Sequence, residues 1–437
     1  MRGTIENLKE AMRQRILMLD GAMGTMLQRY PLTEADFRGN VFEGWNKDLK
    51  CTNECLNLTR PEIIRSVHEA YISAGSDIIE TNSFCANTIS QNEYDCGEYA
   101  EEMAYQAAKI ASEAAAAAPR TIWVAGSVGP TGKSLSLAPE AAKPGERDVD
   151  FDQLAAAYKK QISALARGGA DFIIAETCFD ALSTKALILA LSETAPQLPI
   201  IISVDVSDKS GRTFTGQTLE AFYLSVSHAN PLAFGMNCSF GANELKPLIE
   251  SVAGWLDSPL VFYPNAGLPN EMGQYEETPQ SMAEAVAAIA RQGMLNIAGG
   301  CCGSTPEHIA AIKSALEGIA PRTISQKRRE SKPVLSVCGL ECVTIDCRNN
   351  LTNIGERTNV AGSRKFARLI SQGLYDEAIS VAAGQIEGGA DIIDINMDDA
   401  MLDSTQQMTT FLRYISNDPA VAKAALLIAS SHFETIL

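Results

Sequence analysis

The sequence predicts an α/β protein: a (β/α)8 TIM barrel followed by an incomplete second (β/α) barrel segment. Three observations predict it. Eight apolar, β-branched runs that end in Gly, Asn, Ser or Thr alternate with helical stretches over residues 1–320, as buried parallel strands do. The phrase Gly-x-Asp-Ile-Ile stands at 75–79 and 389–393, and with an inserted Phe at 169–174. Each copy marks a helix that ends on glycine and turns into a strand. Eight consecutive strand–helix units favour closure into a barrel, which takes about 250 residues, over a doubly wound sheet.

The strands are expected at 16–20, 77–81, 122–127, 171–177, 199–206, 233–239, 260–267 and 295–303. The helices between them are expected at 61–74, 88–118, 151–167, 181–193, 219–227, 243–253, 279–291 and 306–316. Pro61, Pro279 and Pro306 sit at helix starts, where proline is tolerated. The pattern lapses from Gly318 to Asn350, which holds Pro321, Pro333 and the basic run 326–332. Residues 321–350 therefore read as a linker crossing the surface of the first domain, residues 1–320. A second series follows over 351–437, with strands at 351–356, 391–398 and 426–431 and helices at 364–371, 376–388 and 404–416. Three strands cannot close a barrel, so this domain is expected to be cut short, with apolar edges open to aggregation or to a partner.

Composition narrows the function. Hydrophobic residues make up 46% and charged residues 20%, an ordinary globular balance. The 36 basic against 53 acidic side chains give −17, which argues against nucleic acid or an anionic membrane as partner. No apolar run reaches the length of a membrane span, and the charged N-terminus MRGTIENLKEAMRQ is not a secretory signal, so a cytoplasmic address is expected. The 11 cysteines are an odd number, and in a reducing compartment they are buried, catalytic or metal-bound rather than paired.

Barrel chemistry sits at strand C-termini. Those ends are Asp20, Thr81-Asn82, Ser127, Glu176, Asp205, Asn237-Cys238, Asn265 and Cys301-Cys302. Strands six and eight thus bring Cys238, Cys301 and Cys302 to one rim. A lone cysteine is most often core filler, but three at strand ends beside a double glycine point to metal. Three thiolates leave one tetrahedral position open on zinc, and a soft site suits a sulfur substrate. Gly299-Gly300 and Gly303 are expected to let both adjacent thiols face the metal. Glu176 and Asp20 end apolar strands, and are either structural carboxylates or ligands for an ammonium group. Gly129–Ser134 resembles a phosphate loop but has Ser127 where glycine is required, so nucleotide binding is not expected. Cys51, Cys55, Cys338, Cys342 and Cys347 lack zinc spacing and read as core or surface thiols. His68 and His308 fall in predicted helices and His228 directly follows one, so no histidine base is expected.

These residues carry a resemblance. The segments LDGAMGTMLQ (19–28), LNLTRPEII (56–64), ETNSF (80–84), GSVGPT (126–131), MNCSFG (236–241), YPNAGLPN (263–270) and GGCCGSTPEHI (299–309) resemble the N-terminal part of the cobalamin-dependent methionine synthase family. They are shared with betaine- and S-methylmethionine-dependent homocysteine methyltransferases, whose stand-alone activity is the alternative reading, with a non-catalytic fragment carrying a structural zinc as another. NIGERTNVAGSRKF (353–366) and DIIDINMDDAMLD (391–403) are similar to the start of the folate-binding barrel and single out the cobalamin enzymes. The resemblance implies that Cys238, Cys301 and Cys302 hold Zn2+ and that the homocysteine thiol takes the open position. It implies that Glu176 and Asp20 hold the amino end of homocysteine, with Asn237 and Asn265 beside the substrate. It also implies methylcobalamin as methyl donor, bound by a cobalamin module elsewhere in a longer chain or in trans. Gly362, Ser363 and Arg364 match the family's folate-contacting segment. One position departs: the family's pterin-binding I-D-S-S motif reads Ile428-Ala429-Ser430-Ser431 here. Alanine accepts no pterin N–H, so 5-methyltetrahydrofolate use by this chain alone is not expected.

Overall fold

The computed structural model describes residues 3–324, 335–346 and 351–436. Among them, three sheets form. The largest has eight parallel strands: β1 (Leu17–Met18), β2 (Ile78–Glu80), β3 (Trp123–Val128), β4 (Phe172–Cys178), β5 (Ile200–Val204), β6 (Ala233–Gly241), β7 (Leu260–Asn265) and β8 (Ile297–Ala298). Their order is β1-β8-β7-β6-β5-β4-β3-β2, a nearly closed barrel. The ring is completed between β1 and β2 largely by side chains. The Asp77 N–H donates to the Met18 carbonyl at 2.7 Å, and the Asp77 carboxylate accepts from the Met18 N–H at 2.9 Å.

Each strand is buried on both faces, which is why it reads as a continuous apolar run. Alternate residues such as Leu17, Ile78, Phe172, Ile174, Ile201 and Val261 form the cluster inside the barrel. The intervening Ile173, Ile200, Ile202, Phe234, Met236 and Phe262 belong to a second cluster shared with the helices. An N-terminal helix, Ile5–Gln14, was not expected from the apolar pattern. Thr4 caps it, and its Leu8 and Met12 join the barrel interior.

Two expectations need correction. The predicted helix 88–118 is broken into Thr88–Gln91, two 3-10 turns and Ala100–Ala117. Asp95 takes a left-handed φ of 59°, and a Cβ on Gly97 would lie 1.9 Å from Asn92 Oδ1, so the chain turns here instead of running on. The expected linker contains an antiparallel hairpin, β9 (Leu335–Cys338) and β10 (Cys342–Ile345). Its turn is pinned on two sides: Leu340 O accepts from Thr218 N–H at 3.0 Å, and Leu340 N–H donates to Ala422 O at 2.9 Å. Residues 326–332 and Cys347 lie outside the described residues.

The third sheet is β11 (Ile354–Asn359), β12 (Ile392–Asn396) and β13 (Ala425–Ile428), parallel in that order. Its helices include Arg364–Ser371, Tyr375–Glu387 and Ser404–Ser416, close to the expected positions. Among the described residues no helix is long and apolar enough to cross a membrane.

Candidate active site

At the C-terminal ends of the eight strands lies a cavity of about 710 Å³. Its walls include Asp20, Glu80, Ser127, Glu176, Tyr263, Cys238, Cys301 and Cys302. A more open groove of about 1020 Å³ lies toward the strands' N-terminal ends, near Pro199 and Asn230, and holds no thiol.

The three sulfurs lie within 4.8 Å of one another, and Cys238 Sγ is 3.8 Å from Cys302 Sγ. Backbone geometry produces this. Cys238 and Ser239 take left-handed φ values of 57° and 58°, and the pairing of β6 with β7 slips between Cys238 and Gly241. Such a bulge re-aims a side chain at a strand end. The Cys301-Cys302 turn is tied to β7, since Cys301 N–H donates to Pro264 O at 2.7 Å and Cys302 O accepts from Ala266 N–H at 2.9 Å. The glycines around it act differently from expectation. Gly303 alone of the three is left-handed, at φ 81°, and a Cβ there would strike the Tyr275 ring. Gly299 permits close approach instead, with a Cβ falling 2.8 Å from Leu19 Cβ.

The thiols share their protons unequally. Hydrogen bonds from Cys238 and Cys301 pull Cys302 down to about 3. At Cys238 a lowering bond with Cys301 is outweighed by the bond to Cys302 and by burial, and it is pushed up to about 12. Cys301 is raised by donating to both neighbours. Of the three, Cys302 alone is favoured as the thiolate, held so by the protons of its two neighbours. A tetrahedral zinc with Zn–S bonds of about 2.3 Å sets its sulfurs about 3.8 Å apart, so the donor set fits that ion. A closed structural site has four protein ligands, and among the described residues this cluster has three.

The same cavity is also lined by carboxyl groups. Asp20 is 2% exposed; its Oδ2 accepts the Glu80 N–H at 3.0 Å, and its Oδ1 has no hydrogen-bond partner. Burial raises Asp20 well above the usual carboxylate range. Glu176 accepts the Ser127 hydroxyl, and burial pushes it up to about 7 despite that bond. Glu80 was missed in the sequence because it lies one residue before the strand end at Thr81. Its Oε1 is buried without a partner, and burial with the charges of Glu176 and Asp20 raises it. The period-two rule was the available signal, since it puts Glu80 on the face of Ile78, inside the barrel.

Neither asparagine is among the cavity's lining residues, though Asn237 touches two that are, Thr177 and Cys301. Asn237 Oδ1 accepts from Thr177 N–H at 2.9 Å and Ser203 Oγ at 2.7 Å, while its Nδ2 lies 3.9 Å from Cys301 Sγ. Asn237 thus orients a thiol. Asn265 is 4% exposed and outside the cavity lining. Gly362, Ser363 and Arg364 belong to the other parallel sheet, after β11, where Ser363 caps helix Arg364–Ser371 through the Phe366 N–H. His308 is occupied by Thr305 and the Glu277 carbonyl, away from the cavity.

A (β/α)8 barrel with its polar groups gathered at the strand C-termini defines an enzyme of the barrel class. Residues 17–316 match the family model described as homocysteine S-methyltransferase, and the chain belongs to that family; it is a methyltransferase. Residues 355–437 match the model described as pterin binding enzyme. Among solved structures, the metallated form of the homocysteine methyltransferase MmuM from Escherichia coli is 26% identical, over 69% of this chain and 96% of that one, with a TM-score of 0.55. The oxidized form of the same protein is 24% identical over the same shares, with a TM-score of 0.56.

Proposed function

We propose that this chain is the zinc-dependent homocysteine-activating module of a methionine-synthase-type enzyme, transferring a methyl group from methylcobalamin to homocysteine. The observation that carries the reading is the sulfur triangle, whose 3.8 Å edge is that of a zinc–thiolate tetrahedron with one corner to spare. Cys238, Cys301 and Cys302 hold the metal. Bound there, zinc supplies Lewis acidity that makes a substrate thiolate available at neutral pH. Asn237 fixes Cys301, and Asp20 and Glu176 hold the substrate ammonium across the cavity, which orients the sulfur toward the mouth. The substrate sulfur forms a bond to the methyl carbon as that carbon's bond to the donor breaks, the electron pair leaving with the donor. No side-chain base is needed, and among the described residues no histidine lines the cavity.

The second parallel sheet supports a folate origin for the methyl group. The pterin-binding match extends over Ala429, the position at which the resemblance departs. Asp394 lies on the adjoining strand β12, and its Oδ1 is buried without a partner, so it supplies an acceptor that Ala429 lacks. Asp398 is committed to Ser430 and Ser431. The cobalamin is carried by another module, in a longer chain or in trans.

Metal analysis and donor assays test this. About one zinc per chain is expected, with a proton released as homocysteine binds, and methyl transfer from free methylcobalamin in preference to betaine or S-methylmethionine. Preference for either of those donors assigns the chain to the stand-alone methyltransferases instead.

A further inference from the structure

We propose that Glu80 is the third carboxylate of an ammonium cradle, and that it sets this site's demand for an α-amino group on the thiol substrate. The proposal rests on the reading that homocysteine occupies the cavity.

Strand alternation places the residue. On β2, Ile78 lies in the apolar barrel interior, and Glu80, two residues on, faces the same way at the cavity. The same step raises Ile174 to Glu176 on β4. Asp20 completes the group from β1, its backbone-bound Oδ2 leaving Oδ1 unpartnered and buried. Among the described residues, the cavity lining contains no lysine, arginine or histidine. Three carboxyl groups thus converge with no cation of the protein to balance them. The ligand must bring the charge.

The stoichiometry points to a primary ammonium. Such a group has three N–H donors, and a buried donor left unmatched is costly. Asp20 Oδ1, Glu80 Oε1 and the Glu176 carboxylate supply three acceptors. A thiol of equal length without the amine leaves all three unpaired, and sites built to bind an N–H reject analogues that lack it. Glu80 therefore contributes discrimination more than sulfur chemistry.

The test is calorimetric binding to the metal-loaded full chain of two probes, L-homocysteine and 4-mercaptobutanoate, its des-amino analogue. Wild type is expected to prefer homocysteine strongly. Glu80→Gln keeps the shape and removes the charge, so homocysteine affinity should fall about tenfold while that for 4-mercaptobutanoate stays level or rises. Should Glu80→Gln fail to fold, Glu80→Met takes its place with the same expectation. An equal fall for both probes, or no change for either, overturns the role of Glu80. A wild type that binds 4-mercaptobutanoate as tightly as homocysteine overturns the reading of the cavity itself, and the proposal with it.

Discussion

The two parallel sheets are written in the same local code, yet only one yields strands sealed on both faces. In both, a helix ends on a left-handed glycine: Gly75 at φ 111° and Gly169 at 102° in the first series, Gly389 at 93° in the second. In both, the aspartate two residues later reaches a neighbouring strand's backbone. Asp77 accepts from Met18 N–H, Asp171 from Val124 N–H at 2.8 Å, and Asp391 from Asn353 N–H at 2.9 Å. The outcomes differ. β4 and β5 are buried almost throughout, whereas Ile354 on β11 is 52% exposed and Leu427 on β13 is 47% exposed. Local sequence sets where strands and turns fall, while burial comes from neighbours. The same contrast holds for polar groups: sulfur and carboxylate converge where the ring is nearly complete, and Asp394 sits on the less covered sheet.

Perturbing one sheet and reading the other sharpens that contrast. The largest effect is expected from Cys301→Ala, which should lose zinc and weaken homocysteine binding by about 100-fold or more, beyond the usual cost of an outer-shell change. Pterin binding should be untouched; full zinc occupancy in the variant, by metal analysis, would falsify the ligand assignment. Next, Ile174→Ala inside the barrel should cost about 2–5 kcal/mol in chemical denaturation. Asp394→Asn should weaken pterin binding about tenfold and leave homocysteine binding level, measured by titration of each ligand. If both fall together, the two sheets do not house separate sites.

A smaller effect concerns pH. Burial holds Glu176 at about 7, above its ordinary 4.5, and raises Asp20 and Glu80 in the same direction. Between those two pH values the folded chain binds more protons than the unfolded one, so stability falls as pH rises through the window. Thermal midpoints should decline from about pH 5 to about pH 7.5, and the decline should flatten in Glu176→Gln. Methionine, which lacks a titrating thiol, should bind more tightly over the same window as Glu176 ionises; binding that is flat with pH would remove Glu176 from the amino-group site. Leu427→Thr on the open sheet should be smallest, about 1 kcal/mol, because only about half of that side chain is removed from water.

Much of this was legible in the residues. All eight strands of the large sheet coincide with the apolar runs, β3, β4 and β6 extending one or two residues beyond them, because two-sided burial leaves an unmistakable pattern. The three cysteines sit at strand ends in the sequence, and strand ends are where a barrel puts its mouth. What could not be read was conformation that violates local preference: Cys238 and Ser239 are left-handed without being glycine, and only the bulge they create turns the Cys238 sulfur toward Cys302. The hairpin at Leu335–Ile345 was hidden because its strands are short and only half-buried. The partners of Asn237 on β4 and β5 become visible only when the strands are side by side.

Asp20 carries a consequence for how occupancy is felt. One of its oxygens welds the seam between the first and second strands through the Glu80 amide, and the other faces the cavity. A ligand that grips the free oxygen stiffens the weld from the inside. The seam is thus a natural gauge of whether the chamber is filled, and solvent exchange at the Glu80 amide is the needle that would move.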